Sequence, residues 1–217
     1  EEYWGASDEV IAERLPVSAR PRCRPFFQGP QPEHRPLESG SYEIESCDGL
    51  HTIDWGLAVA MVQLMGPGSG SSVWELGAGC GCYTEFFRFV GFDIQACDGT
   101  VDIARLSGGA VSECNLAQRV RLEPADWVVC LEVGEHIAPA YQGAFVENLR
   151  AHALQGLILS WATPSNWTGT DGSVGGQAFH VNEKSNEDVI SLLEESGFAF
   201  DARGTRSLRA AAGQSWC

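Results

Sequence analysis

The nine residues Val73-Trp74-Glu75-Leu76-Gly77-Ala78-Gly79-Cys80-Gly81 constrain this chain more than any other stretch. A short apolar run leads into an acidic residue and three glycines at alternate positions, and an aromatic-rich segment over 83–90 follows. That order predicts a buried strand, a tight turn and a helix N-terminus. Glycine lets the backbone turn sharply and removes the side chains that would keep a ligand off the main chain. The first N–H groups of the helix have no intrahelical partner and can receive a polar ligand. The spacing is neither the Gly-x-Gly-x-x-Gly of a dinucleotide site nor a phosphate loop ending in Gly-Lys-Ser/Thr.

The remaining pattern alternates strands with helices. Residues 92–97 read as a second strand ending in Asp98-Gly99-Thr100, and 101–106 as a short helix stopped by Gly108-Gly109. A carboxylate at that strand end can accept hydrogen bonds from both hydroxyls of a ribose. Residues 110–114 are a third strand, followed by Asn115-Leu116, and 126–131 form a continuous apolar run as expected of a central parallel strand. Glu132-Val133-Gly134-Glu135-His136-Ile137-Ala138-Pro139 comes next, at the strand end where open α/β sheets place ligands. A helix over 140–153, a fifth strand over 156–161 and a helix over 186–196 complete the series, with 198–212 read as closing antiparallel strands. Ahead of the first strand, 55–65 is apolar nearly all round and predicts a buried helix.

Glu75-x-Gly77-x-Gly79-x-Gly81 resembles the first motif of class I S-adenosylmethionine (SAM) methyltransferases, and Glu132 to Pro139 resembles the fourth, in the variant where Glu-His-Ile precedes a proline. The motifs run in the family's order across 73–160. The resemblance implies a Rossmann-like α/β fold, a three-layer sandwich whose sheet has seven mostly parallel strands and one antiparallel strand. It implies SAM as cofactor, held by Glu75, Gly77, Ala78, Gly79, Gly81, Asp98, Gly99, Thr100, Asn115, Leu116, Leu131 and Glu132. Asn115 replaces the acid often found at its position, and its amide oxygen can still accept a bond from the adenine amino group. In the family, the helix before the first strand covers the pocket, which would set His51 and Asp54 near its mouth; a plain helix cap and a surface histidine fit those two equally well.

Composition narrows the acceptor. A net charge of −15 with only 14 basic residues argues against nucleic acid or an anionic membrane as partner, and no apolar run reaches the roughly 18 residues of a membrane span. Residues 1–45 form a proline-rich arm, with six prolines between 16 and 36, ahead of the methyltransferase-like domain at 46–217. The arm is expected to lack regular structure apart from a short helix over 8–15, and to lie over the domain or its active site. Without an initiator Met the chain reads as a fragment or a processed form. Cys97, Cys114 and Cys130 are expected to be small core residues, the cysteine usage fits a reducing compartment such as the cytoplasm, and no metal site is expected, since Cys80-Gly81-Cys82 is too cramped for a zinc half-site.

A methyl acceptor that is a hydroxyl benefits from a general base, and histidine suits neutral pH. His180, at the end of a long polar loop from Pro164, is the first candidate and His136 the second, with Glu132 beside them. Trp161 and Trp167, among Gly, Ser and Asn, suit a hydroxylated acceptor such as a sugar or other small metabolite. N-methylation of a small amine and a non-catalytic SAM-binding domain are the rival readings. Glycoside hydrolysis by Glu132 and Glu135 is set aside, because it leaves the glycine turn and Asp98 without a purpose.

Overall fold

The computed structural model describes residues 23–24, 34–37, 42–47, 51–164 and 180–213. Its centre is a sheet of five strands, β5 (Ser72–Leu76), β6 (Asp93–Asp98), β7 (Ser112–Glu113), β8 (Ala125–Cys130) and β9 (Ala153–Leu159), in the order β7-β6-β5-β8-β9. Every pairing is parallel; Val73 stands between Ile94 and Trp127, for example. Four strands of two or three residues precede it: β1 (Cys23–Arg24), β2 (His34–Pro36), β3 (Tyr42–Ile44) and β4 (His51–Thr52), paired β1 with β4 and β2 with β3. The arm is therefore not devoid of regular structure as its prolines suggested. Pro36 sits at the end of β2, in a two-stranded ribbon where a missing ladder donor is tolerated.

Side-chain alternation explains the layers. Val73, Ile94, Val129 and Ile158 face one way, into a core shared with Trp55, Met61 and Met65 of helix α1 (Trp55–Met65) and Phe86 and Phe87 of α2 (Cys82–Phe89). Trp74, Leu76, Val128 and Cys130 face the other, against Phe145 and Leu149 of α4 (Gln142–His152) and Leu192 of α5 (Asn186–Glu195); α3 is the short helix Ile103–Leu106. Strands covered on both faces carry unbroken apolar runs, which is why the sheet was legible. The result is a three-layer α/β/α sandwich.

Two expectations need correction. The described sheet has five strands and no antiparallel member, where seven with one reversed were expected. Residues assigned to closing strands instead form α6 (Ala202–Ala211). Asp201 caps it, accepting from the N–H groups of Arg203 and Gly204 at 3.0 Å each, and the Ala, Arg and Leu content then favours helix. Leu208 of α6 packs into the α1 core, and a Cβ on Gly56 would lie 2.0 Å from the Ala211 carbonyl oxygen, so only glycine allows that approach.

Cys97 and Cys114 are not free core thiols. They form one disulfide, Cys47 and Cys80 form another, and Cys82 and Cys130 are buried free thiols. The Cys47 bridge ties the segment just after the arm to the glycine turn. Sequence cannot show such pairings, because they depend on Cα atoms brought to 5.6 and 5.5 Å by the fold.

Candidate active site

Strand order reverses between β5 and β8, since the chain moves outward to β7 on one side and to β9 on the other. The crevice outside the carboxyl ends of these two strands is where such sheets bind ligands. On the β5 side, Gly77, Gly79 and Gly81 adopt φ of +79°, +52° and +81°. The N–H groups of Gly77 and Ala78 donate to the Cys97 carbonyl at 2.8 and 3.2 Å, hanging the turn on β6. A Cβ on Gly77 would stand 2.3 Å from Val133 Cγ2, so the turn lies directly against the segment that follows β8.

Asp98, at the end of β6, accepts from the Gly79 N–H through Oδ2 and from the Thr100 N–H through Oδ1, both at 2.7 Å. Each carboxylate oxygen has a second lone pair, and the side chain is only half-buried, so it can still receive a pair of hydroxyls. Gly99 is half-buried beside it and Thr100 is buried. Glu75 is different in kind: buried beneath the turn, it accepts from the Thr84 hydroxyl of α2. Asn115 uses its side-chain oxygen on the Ala117 N–H at 2.9 Å, Leu116 is buried in the α4 core, and Leu131 packs at the edge of the α1 core. A glycine-rich floor, a carboxylate at the neighbouring strand end and apolar flanks together fit an adenosine nucleoside whose tail carries no phosphate.

Across the crevice, Glu132 follows β8 with φ of +54°, the left-handed region that a residue with a Cβ seldom enters. Its N–H donates to Ser160 Oγ at 2.9 Å, which secures the corner. Glu135, in a 3₁₀ turn over Gly134–His136, is fully buried, and neither carboxylate oxygen has a close, well-aligned hydrogen bond; its looser polar contacts are the Glu132 side chain and the Ala162 backbone. Burial first, then the like charge of Glu132, holds its carboxyl well above the usual carboxylate range. The backbone carbonyl of Glu135 accepts from Val181 and Asn182 N–H at 2.8 and 3.0 Å, which latches the end of the long loop onto this corner. The His136 and His180 rings consequently meet edge to face, 5.0 Å between centroids, and His180 Nδ1 lies 2.9 Å from Glu183 Oε1.

Thus the structure gathers His180, His136 and Glu132 at one corner of the crevice, and Asp98 with the glycine turn at the other. Tyr42 of the arm joins the two. Its hydroxyl lies 2.6 Å from His136 Nδ1, and its carbonyl accepts from the Val101 N–H just beyond Asp98. Sequence reasoning placed the arm over the domain but missed Tyr42, because nothing local marks a contact 94 residues away. Glu135 enters the sequence reading only as half of a glycosidase pair with Glu132, and that reading is set aside.

Other expectations fall elsewhere. Asp54 is a helix cap, accepting from Leu57 N–H at 3.0 Å and from Gly213 N–H at 2.8 Å. The backbone of His51, in β4, pairs with Cys23 of β1. Trp161, expected to face an acceptor, is 3% exposed. It packs on Phe145 and donates its indole N–H to the Asn182 carbonyl at 2.6 Å, so its work is to hold the loop end. Trp167, the 8–15 helix and most of the proposed lid lie outside the described residues.

Glu75 gives a pH prediction. Burial raises its carboxyl from 4.5 to about 8, against the opposing pull of the Thr84 hydroxyl. The folded protein therefore keeps a proton that the unfolded chain has released, and this group's stabilisation, complete below pH 4.5, is lost as pH rises through about 8. Urea unfolding between these limits should show stability declining by up to roughly 1.4 kcal/mol per pH unit from this site. Glu75→Gln should remove that component; an unchanged slope in the variant would refute the assignment.

The architecture is the class I methyltransferase fold. A magnesium protoporphyrin IX methyltransferase from Synechocystis PCC 6803, solved with bound SAH, aligns at a TM-score of 0.52 and 20% identity, over 67% of this chain and 73% of that one. A TehB-like SAM-dependent methyltransferase from Corynebacterium glutamicum ATCC 13032 aligns at 0.54 and 14% identity, over 69% and 76%. The glycopeptide N-methyltransferase MtfA reaches only 0.43 at 19% identity, and this chain spans 55% of its length. Identities this low establish the fold and nothing finer. No protein-family model matches the sequence, and a comparison with curated proteins finds no match.

Proposed function

We propose that this chain is a SAM-dependent methyltransferase acting on a hydroxyl of a sugar or other small polar metabolite. The carrying observation is the pairing, across one switch-point crevice, of a nucleoside-shaped cradle with a cluster of two histidines and two carboxyls. Gly77, Ala78, Gly79 and Gly81 would line the cofactor, Asp98 would take its ribose hydroxyls and Asn115 its adenine. When bound, SAM supplies a methyl on a sulfonium, leaving a neutral thioether once the acceptor oxygen has taken the methyl and released its proton. The chain's own part is to align that oxygen, exclude water and receive the proton. His180 is our first choice for the proton and His136 the second, with Glu132 orienting the acceptor.

Methyl transfer to a small amine is the competing reading, favoured by the chain's charge of −15 and by the two carboxyls at the corner, which would attract a cation. Two disulfides favour an oxidising compartment over the cytoplasm expected from the sequence. No helix among the described residues is long and apolar enough to cross a membrane.

The test is methyl transfer from labelled SAM to a panel of hydroxylated sugars and small amines. His180→Ala and His136→Ala should lower kcat with a hydroxyl acceptor by about 10²–10⁴-fold while leaving the Kd for SAH within about twofold. Transfer to amines alone, indifferent to both variants, would establish the rival. SAH binding with no transfer to any acceptor would mark a binding module.

A further inference from the structure

We infer that Glu135, His136 and His180 form a site for a divalent first-row transition ion, which the cysteine pattern gave no reason to expect. One ligand atom from each of the three lies within 4.8 Å of the others. An ion bonded at roughly 2.0–2.2 Å needs slightly closer ligands, a gap that small side-chain rotations close.

The independent observation is Glu135. A carboxyl group at 0% exposure with no well-aligned hydrogen bond on either oxygen is costly to keep, and a bound cation would both pair it and hold it ionised. Its Oε1 lies 3.9 Å from His136 Nε2, so it is directed at the histidines. Both imidazoles also have the outer partner that metal-binding histidines usually carry. The shorter contact of Tyr42 Oη on His136 is to Nδ1, at 2.6 Å, with Nε2 at 3.1 Å, and Glu183 engages Nδ1 of His180. The Glu183 contact leaves Nε2 of His180 as its ligand atom, and Nε2 of His136 is the nitrogen on the Glu135 side. Glu132, just after β8 and three residues before Glu135, adds a second carboxyl to this corner. Two nitrogens and one oxygen favour a first-row transition ion over Mg²⁺ or Ca²⁺, which prefer all-oxygen shells; Mn²⁺ binds more weakly than the later ions of that row and serves as the probe for its EPR signal.

Three protein ligands leave positions open. An acceptor hydroxyl bound there would become more acidic and give its proton to solvent, with no covalent change at the ion. In this refinement the histidines promote deprotonation as ligands instead of as free bases. Use of the ion rests on the methyl-transfer reading; its binding does not.

The test is Mn²⁺ binding to the full chain after chelator treatment, followed by loss of the free-ion EPR signal, with SAH calorimetry as the check on folding. One Mn²⁺ per chain is expected, resistant to millimolar Mg²⁺. His180→Ala and Glu135→Gln should weaken it by more than about 100-fold, and Glu183→Gln, acting through His180, by about 10–100-fold. If Glu135→Gln does not fold, the His180 and Glu183 variants decide. Absence of stoichiometric binding, or binding unchanged in His180→Ala, overturns the inference. Ion binding without methyl transfer would leave it standing and defeat the proposed activity; full turnover by chelated enzyme would defeat the ion's role alone.

Discussion

Replacing Asp98 with alanine is expected to reduce SAH affinity by at least about 100-fold, read by calorimetry. Two ribose hydroxyls donating to a carboxylate contribute about 1.5–3 kcal/mol each, and 2.8 kcal/mol is already a factor of 100. The loss extends beyond the ligand. Asp98 also accepts from the N–H groups of Gly79 and Thr100, so its removal frees the glycine turn from the end of β6. Asp98→Asn separates the two contributions. The amide keeps one acceptor oxygen and should hold the turn better than alanine while still binding the nucleoside weakly. Unchanged affinity in Asp98→Ala would mean that the cradle does not hold a nucleoside by its sugar.

Reduction of the two disulfides is expected to destabilise the fold by about 3–4 kcal/mol per bridge, taken from the closed loops of 33 and 17 residues and the entropy that each removes from the unfolded chain. Thermal melts of oxidised protein, reduced protein and the Cys97→Ser, Cys114→Ser pair measure it. Both bridges flank the cradle: Cys80 lies within the turn, Cys97 precedes Asp98 and Cys114 precedes Asn115. Reduced protein should therefore lose SAH affinity at temperatures where it remains folded. Identical melting curves in the presence and absence of reductant would contradict the pairing.

The legible part of this protein is what local pattern dictates. Residues 55–65 are apolar nearly all round and fold as α1 over that span, and the apolar runs became parallel strands within a few residues of their predicted ends. The alternate glycines, the acid at the end of β6 and the polar segment after β8 came together at the switch point because sheet topology fixes where strand ends meet. The final helix was misread because Phe198 and Phe200 alternate like a strand, while the deciding signal was the Asp201 cap. Tyr42 on His136, the disulfide pairings and the Glu135–His180 meeting all join positions far apart in the chain. Such contacts leave no periodicity to detect.

Glu132 has one more implication. A left-handed residue other than glycine carries roughly 1–2 kcal/mol of steric penalty, so glycine would relax the backbone here and discard the carboxylate with it. If Glu132 orients the acceptor as proposed, robustness and usefulness are opposed at a single position. On that reading, selecting variants for heat resistance alone would drift toward a sturdier protein with a silent pocket, and a screen for thermostable forms must score chemistry at every round.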